Sequence, residues 1–132
     1  MKRLLWTFML LATMALLPAA QAEALLITPA TPAVATGDQT SQAQIDAAIA
    51  GILGTSVELY KQNVGGAEVG PLAGSYNTTF ANTPSDPEDA QISYVGGPIV
   101  GPTAYLLVKD GNQTPAWYLF NLTALGWTGT ET

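Results

Sequence analysis

The sequence predicts a mainly β protein, an antiparallel β-sandwich of the jelly-roll type with one short helix near its N-terminus. After Gly54 the chain breaks into short β-branched and aromatic runs, separated by clusters of Gly, Pro, Asn and Asp. Before Gly54, a single stretch has the apolar spacing that is typical of an amphipathic helix. The domain is expected to span residues 41–132. One alternative is that the last strands of the sandwich are missing from this chain.

The first 22 residues have the layout of a secretory signal peptide. Two basic residues at 2–3 precede an apolar run at 4–17, and the triplet 20–22 (Ala-Gln-Ala) ends the segment. This layout predicts cleavage between Ala22 and Glu23 and export from the cytoplasm. The alternatives are a retained membrane anchor or a buried helix of the core.

Removal of this leader leaves 110 residues, the size of one domain. Because Lys2 and Arg3 are removed, the formal net charge falls from −6 to −8, with only Lys61 and Lys109 against ten carboxylates. A surface this acidic repels phosphate backbones, so no nucleic-acid partner is expected. Histidine and cysteine are absent from the sequence, which excludes the Ser-His-Asp and Cys-His nucleophiles and most catalytic zinc sites. The prediction is a protein without catalytic residues.

Residues 23–40 are predicted to be a flexible spacer rich in Ala, Thr and Pro. Pro29 and Pro32 cannot donate a ladder hydrogen bond, which favours an extended segment over a strand.

The predicted helix follows the spacer, with Thr40 or Ser41 as its N-cap and Gly54 at its end. Its apolar face consists of Ile45, Ala48, Ile49 and Ile52. About three turns are marginal in isolation, so this face is expected to dock on the core, with a partner-binding helix as the alternative.

Five runs are predicted to be strands: 56–61, 70–80, 91–95, 103–109 and 116–122. The last two form the clearest hairpin, in which Asp110-Gly111 is expected to supply the positive φ angles of a tight turn. Both faces of this hairpin are largely apolar, which predicts cover on two sides, one of them by the helix.

Several stretches of the chain resemble exported bacterial proteins of the PEP-CTERM family, which exosortase sorts to the cell surface. They are 58–66 (Glu-Leu-Tyr-Lys-Gln-Asn-Val-Gly-Gly), 75–87 (Ser-Tyr-Asn-Thr-Thr-Phe-Ala-Asn-Thr-Pro-Ser-Asp-Pro), 92–97, 105–110, 117–120 and 126–130. The resemblance implies a structural or adhesive protein of the cell surface or exopolysaccharide matrix of a Gram-negative bacterium, as in a biofilm. Its implied partners are exopolysaccharide or other envelope components.

The family's sorting tail of a Pro-Glu-Pro motif, a hydrophobic helix and a basic cluster does not follow the matching stretches. Two interpretations stay open, a truncated chain or a copy released as a free protein. Membrane contact is therefore expected only through the leader or through a tail that this sequence lacks.

Two groups of side chains are candidate ligand sites. Asp86, Glu88 and Asp89 are calcium candidates, since carboxylate oxygens on a loop suit this ion, although the spacing of an EF-hand is absent. The alternatives are a solvated turn or the acid and base of a glycosidase. Trp117, Trp127 and Tyr105 are candidate platforms for sugar rings, with core packing as the alternative.

Overall fold

The computed structural model describes residues 23–55, 57–82 and 88–131. The leader prediction falls on residues 1–22, which lie outside this part of the chain. The described protein is mainly β, with antiparallel sheets and one helix, as predicted. The elements are β1 (Ala35–Gly37), α1 (Gln42–Leu53), β2 (Lys61–Gln62), β3 (Glu68–Val69), β4 (Tyr76–Ala81), β5 (Asp89–Tyr94), β6 (Tyr105–Lys109) and β7 (Trp117–Asn121). They form sheet A (order β1-β7-β6), sheet B (β2-β3) and sheet C (β4-β5).

The helix begins and ends where the sequence predicts. Ser41 is the N-cap in an extended conformation, and its hydroxyl accepts from the Gln44 N–H at 3.4 Å. Gly54 takes a positive φ of 79°, and its N–H donates to the Ala50 carbonyl at 2.9 Å. Ile52 differs from the prediction, because it is 45% exposed and lies outside the buried stripe.

The apolar core lies between α1 and one face of sheet A. Ile45 and Ile49 contribute from the helix, and Trp117 and Leu119 contribute from the central strand β7. All four side chains are at most 8% exposed. The expected docking of the helix on the last hairpin is therefore confirmed.

The hairpin β6–β7 is confirmed, but its turn differs from the prediction. Neither Asp110 nor Gly111 has a positive φ. The strands are joined by a longer loop, in which the Asp110 N–H donates to the Ala116 carbonyl at 2.8 Å and the Gln113 N–H donates to the Asp110 carbonyl at 3.2 Å. A longer loop spreads the reversal over several residues, so the positive φ angles of a two-residue turn are not required.

Strand β1 lies inside the predicted spacer. It pairs antiparallel with β7, with Ala35 opposite Leu119 and Gly37 opposite Trp117. A Cβ at Gly37 would lie 2.5 Å from the Trp117 ring, so only glycine allows this approach. Three residues of Ala-Thr-Gly carry too little periodicity to be recognised as a strand, and their partner is remote in the sequence.

The predicted strands 56–61 and 70–80 are shorter than expected, leaving β2 and β4. The intervening Gly70 has a φ of 106°, and the Leu72 N–H donates to the Leu59 carbonyl at 2.9 Å. This turn uses residues that the sequence assigned to a strand. Because the three sheets are small and none is closed, the structure supports the mainly β class without defining a sandwich.

Candidate functional site

Four aromatic side chains form a cluster at the end of sheet C where β4 begins and β5 ends. Tyr76 on β4 is 2% exposed and lies at its centre. The ring centroids of Tyr60, Tyr94 and Trp127 lie 5.6, 5.7 and 6.1 Å from that of Tyr76. These spacings suit tilted and edge-on aromatic contacts. We call these four residues the tyrosine cluster.

The hydroxyl of Tyr76 ties two remote segments together. It donates to the Gly129 carbonyl and accepts from the Val100 N–H, both at 2.9 Å. Burial raises the pKa of Tyr76, so the hydroxyl stays protonated at neutral and mildly alkaline pH. Residues 122–131, which follow β7, are thereby held against sheet C, and we call them the C-terminal segment.

A second hydroxyl joins sheets B and C. The Tyr60 hydroxyl donates to Glu68 Oε1 at 3.0 Å and lies 2.7 Å from Thr78 Oγ1. Glu68 Oε1 also accepts from the Thr78 N–H at 2.9 Å. Burial raises the pKa of Tyr60, and the neighbouring Glu68 adds to this effect. The carboxylate thus serves as an acceptor shared by two sheets.

The third polar group is the carboxylate of Glu131, which is 9% exposed. It accepts from the N–H groups of Thr128, Gly129 and Thr130 at 2.8 to 3.2 Å, and from the Thr128 hydroxyl at 2.6 Å. Burial acts to raise the pKa of Glu131, but the Thr128 hydroxyl and these backbone donors lower it to about 2. The carboxylate is therefore ionised at neutral pH and closes a turn of the C-terminal segment.

Gly129 allows this turn to form. Its φ is 109°, and a Cβ would lie 2.9 Å from Ile99 Cδ1. A glycine is therefore required both for the backbone conformation and for the close approach of Ile99.

The candidate sugar platforms lie in different environments. Trp117 is 1% exposed, and its Nε1 donates to Gln39 Oε1 at 2.9 Å, so this ring offers no face to a ligand. The platform prediction for Trp117 is corrected, because the helix covers the ring. Tyr105 is half-buried and packs against the same core. Trp127 is half-buried in the tyrosine cluster and keeps part of its ring at the surface.

The calcium candidates are only partly described, because Asp86 lies outside the described residues. Glu88 is exposed and its Oε2 accepts from Asn82 Nδ2 at 3.0 Å, while Asp89 is exposed at the start of β5. Over residues 23–55, 57–82 and 88–131, no three Asp, Glu, His or Cys side chains are grouped so that they could hold a metal ion.

An open cleft of about 2730 Å³ runs along the described molecule. All five residues of β6 line it, as do Phe80 and Ile92 of sheet C and residues 24–28 near the N-terminus. None of the helices formed by the described residues is long and apolar enough to cross a membrane.

Sequence reasoning missed Tyr76, Glu68 and Glu131. Thr128-Gly-Thr-Glu131 does have the Thr-x-x-Glu spacing of a capping box, in which the Glu and Thr satisfy backbone donors. That signal is normally sought before a helix, and no helix follows it in the described chain. Comparisons with family models, with curated proteins and with solved structures found no match for this chain.

Proposed function

We propose that this chain is an exported structural or adhesive protein of a bacterial cell surface or extracellular matrix, without catalytic activity. The observation that carries the proposal is the leader, in which two basic residues, an apolar run and Ala-Gln-Ala stand in the order that secretion requires. The resemblance to exosortase-sorted PEP-CTERM proteins supports the surface location and a partner among the exopolysaccharides or other envelope components.

The environments of the polar groups support a structural role. The Tyr76 hydroxyl and the Glu131 carboxylate bind backbone groups of remote or neighbouring turns. The Tyr60 hydroxyl and the Glu68 carboxylate join two sheets. Each of these groups has a bonding partner within the fold. The burial of Tyr60 and Tyr76 and the hydrogen-bond donors around Glu131 account for the shifted pKa values of these three groups without a reaction.

We also propose that sheets A and C are the two halves of a sandwich-like arrangement around the cleft. Leu106 and Phe120 of sheet A and Phe80 and Ile92 of sheet C line this space. Apolar side chains on the inner faces of two stacked sheets make up a sandwich interior, and we assign these four side chains to it.

Leader processing tests the proposed function. When the full sequence is expressed in a Gram-negative host, we expect the protein to be recovered outside the cytoplasm. Its mass should be that of a chain that begins at Glu23. Ala20→Phe combined with Ala22→Phe should block cleavage, because the peptidase requires small residues at these two positions. Gln21→Phe is the matched control and should be processed normally. Unprocessed chain confined to the cytoplasm would contradict export.

A second candidate function is carbohydrate binding at the exposed part of the tyrosine cluster. Trp127 and Tyr94 are both half-buried around Tyr76, so part of each ring remains available for stacking on a sugar. Titration of envelope polysaccharides against tryptophan fluorescence should then give a saturable change, and Trp127→Ala should remove it. The buried Trp117 supplies an internal reference. A flat response to every polysaccharide tested would exclude this candidate.

A further inference from the structure

Among the described residues, strand β6 is an edge of sheet A, with β7 as its one strand neighbour. The Asp110 N–H donates to the Ala116 carbonyl and the Leu122 N–H donates to the Ala104 carbonyl. These two hydrogen-bonded pairs lie at the two ends of the β6–β7 ladder. Antiparallel pairs alternate between bonded and non-bonded. Tyr105, Leu107 and Lys109 therefore direct their backbone N–H and C=O groups away from β7, towards the free side of the sheet.

The β6 strand itself carries few of the features that protect an edge against pairing. Its sequence is Tyr-Leu-Leu-Val-Lys, with no proline, and all five residues pair with β7 without a bulge. The single charge is Lys109 at the end of the strand, and its Nζ donates to Gln42 Oε1 at 3.1 Å. Val108 is 41% exposed. The edge thus offers unpaired backbone groups beside apolar side chains.

A short apolar segment near the N-terminus has the complementary properties. Residues 24–28 (Ala-Leu-Leu-Ile-Thr), which we call the N-terminal arm, belong to no helix or strand in the structure. Leu26 is 77% exposed. Three β-branched or long aliphatic side chains in succession favour a strand, and this one has no ladder among the described residues. If the leader is removed after Ala22, the arm becomes the start of the mature chain.

The arm and all of β6 line the same open cleft. A strand that adds to β6 would lie about 4.8 Å from it, on the free side of sheet A.

We propose that the N-terminal arm of one copy adds as a fourth strand to the β6 edge of a second copy, by strand addition. An antiparallel alignment with Glu23 opposite Lys109 sets residues 24–27 of the arm against residues 105–108 of β6, so opposite charges meet at one end. The inference rests on the proposed function in one respect, since export and cleavage release the arm.

The sheet order explains why the acceptor is a second copy. The Val34 N–H donates to the Leu119 carbonyl at 2.7 Å, which anchors the arm's connection on the β1 side of β7. The free side of β6 lies at the opposite edge, and a strand added there would be three strand spacings, or about 14 Å, from β1. The intervening residues are also folded into a turn, in which the Thr31 N–H donates to the Thr28 carbonyl at 2.9 Å. A donor at one edge and an acceptor at the other give head-to-tail assembly, which suits a matrix protein.

Sedimentation of the purified protein beginning at Glu23, produced with a specific protease site, tests the inference. We expect its mass to rise with concentration above that of one copy. Leu26→Asp should weaken association at least tenfold, because a charge would replace the apolar side chain that the added strand places opposite Leu106. Lys109→Pro should weaken it about fivefold, since it removes one outward N–H and leaves the β7 ladder intact. Lys109→Ala is the matched control for the backbone: it keeps the outward N–H and removes only an exposed charge contact with Glu23, so association should stay within about twofold of the unmodified protein.

A single-copy mass at all concentrations up to about 1 mM would overturn the inference, including the case in which the arm pairs with its own β6. Association that Leu26→Asp and Lys109→Pro both leave unchanged would also overturn it. Circular dichroism of each variant checks that the fold is retained. Because the protease supplies the mature N-terminus, association is measured whether or not cells cleave the leader. Failure of export therefore removes the proposed function alone, and failure of association removes this inference alone.

Discussion

The helix-covered face of sheet A and the tyrosine cluster beside sheet C are held together by different interactions. In the first region, Ile45, Ile49 and Leu119 are buried around Trp117, and the contacts are apolar. In the second, a buried tyrosine hydroxyl binds backbone groups of two remote segments, and a buried carboxylate binds backbone groups of its own turn. Each region is packed around an aromatic ring of its own, Trp117 in the first and Tyr76 in the second.

The difference predicts separate responses to mutation and to pH. Apolar burial depends on the area removed from water and carries no protonation step. The hydrogen bonds of Tyr76 and Glu131 depend on geometry and, for Glu131, on an ionised carboxylate. This chain has no disulfides, and it thus stabilises one region by burial of apolar side chains and the other by specific hydrogen bonds.

Truncation of Ile45 to Ala tests the apolar region. Ile45 is fully buried, so the lost contacts and the cavity should lower the free energy of unfolding by about 3 kcal/mol, measured by urea denaturation. Ile52→Ala on the same helix is the control, since Ile52 is 45% exposed and should cost under about 1 kcal/mol. Equal losses in the two variants would contradict docking through Ile45.

Tyr76→Phe removes the hydroxyl and keeps the ring. The Val100 N–H and the Gly129 carbonyl then lose their partner, which should cost about 2 kcal/mol by the same measurement. Tyr94→Phe removes an exposed hydroxyl that donates to the Gly97 carbonyl at 2.7 Å, and it should cost about 0.5 kcal/mol. If the two variants are equally stable, the Tyr76 hydroxyl does not tie the C-terminal segment to sheet C.

Glu131→Gln should give the pH dependence that the apolar region lacks. The folded-state pKa of Glu131 is lowered from 4.5 to about 2, so its contribution is present above pH 4.5 and is lost as the pH falls towards 2. The variant should be about 2 kcal/mol less stable at pH 7 and no less stable near pH 2.

Thermal unfolding at several pH values measures this difference, and Glu88→Gln is the control because Glu88 is exposed. A deficit in Glu131→Gln that persists unchanged at pH 2 would show that shape, and not charge, accounts for the loss.

The smallest effect is expected at the helix cap. Ser41→Ala removes the acceptor for the Gln44 N–H and should cost about 1 kcal/mol, measured by urea denaturation. Thr40→Ala is the matched control, since the sequence allowed either residue as the cap and the structure assigns Ser41. A larger loss in Thr40→Ala would reverse that assignment.

The sequence predicted local features well where the signal lies within one segment. The stripe of Ile45 and Ile49 with its cap residues predicted α1, and the apolar runs around Asp110 predicted the β6–β7 hairpin. The cluster around Tyr76 was not predictable, because Tyr60, Tyr94, Val100 and Gly129 are remote in the sequence and only the fold brings them together. Strand β1 was missed for the same reason, since its partner β7 lies about eighty residues further along.

Amino-acid order by itself determined the mainly β class, the helix α1 and the hairpin of β6 and β7, because periodicity and turn residues act over a few neighbours. Only the tertiary structure decided that Trp117 is covered by the helix and that Glu131 is ionised inside a turn. It also decided that β6 is an edge strand in the part of the chain that the structure describes. Burial, pKa and strand pairing are properties of what surrounds a residue, and these surroundings come from distant parts of the chain.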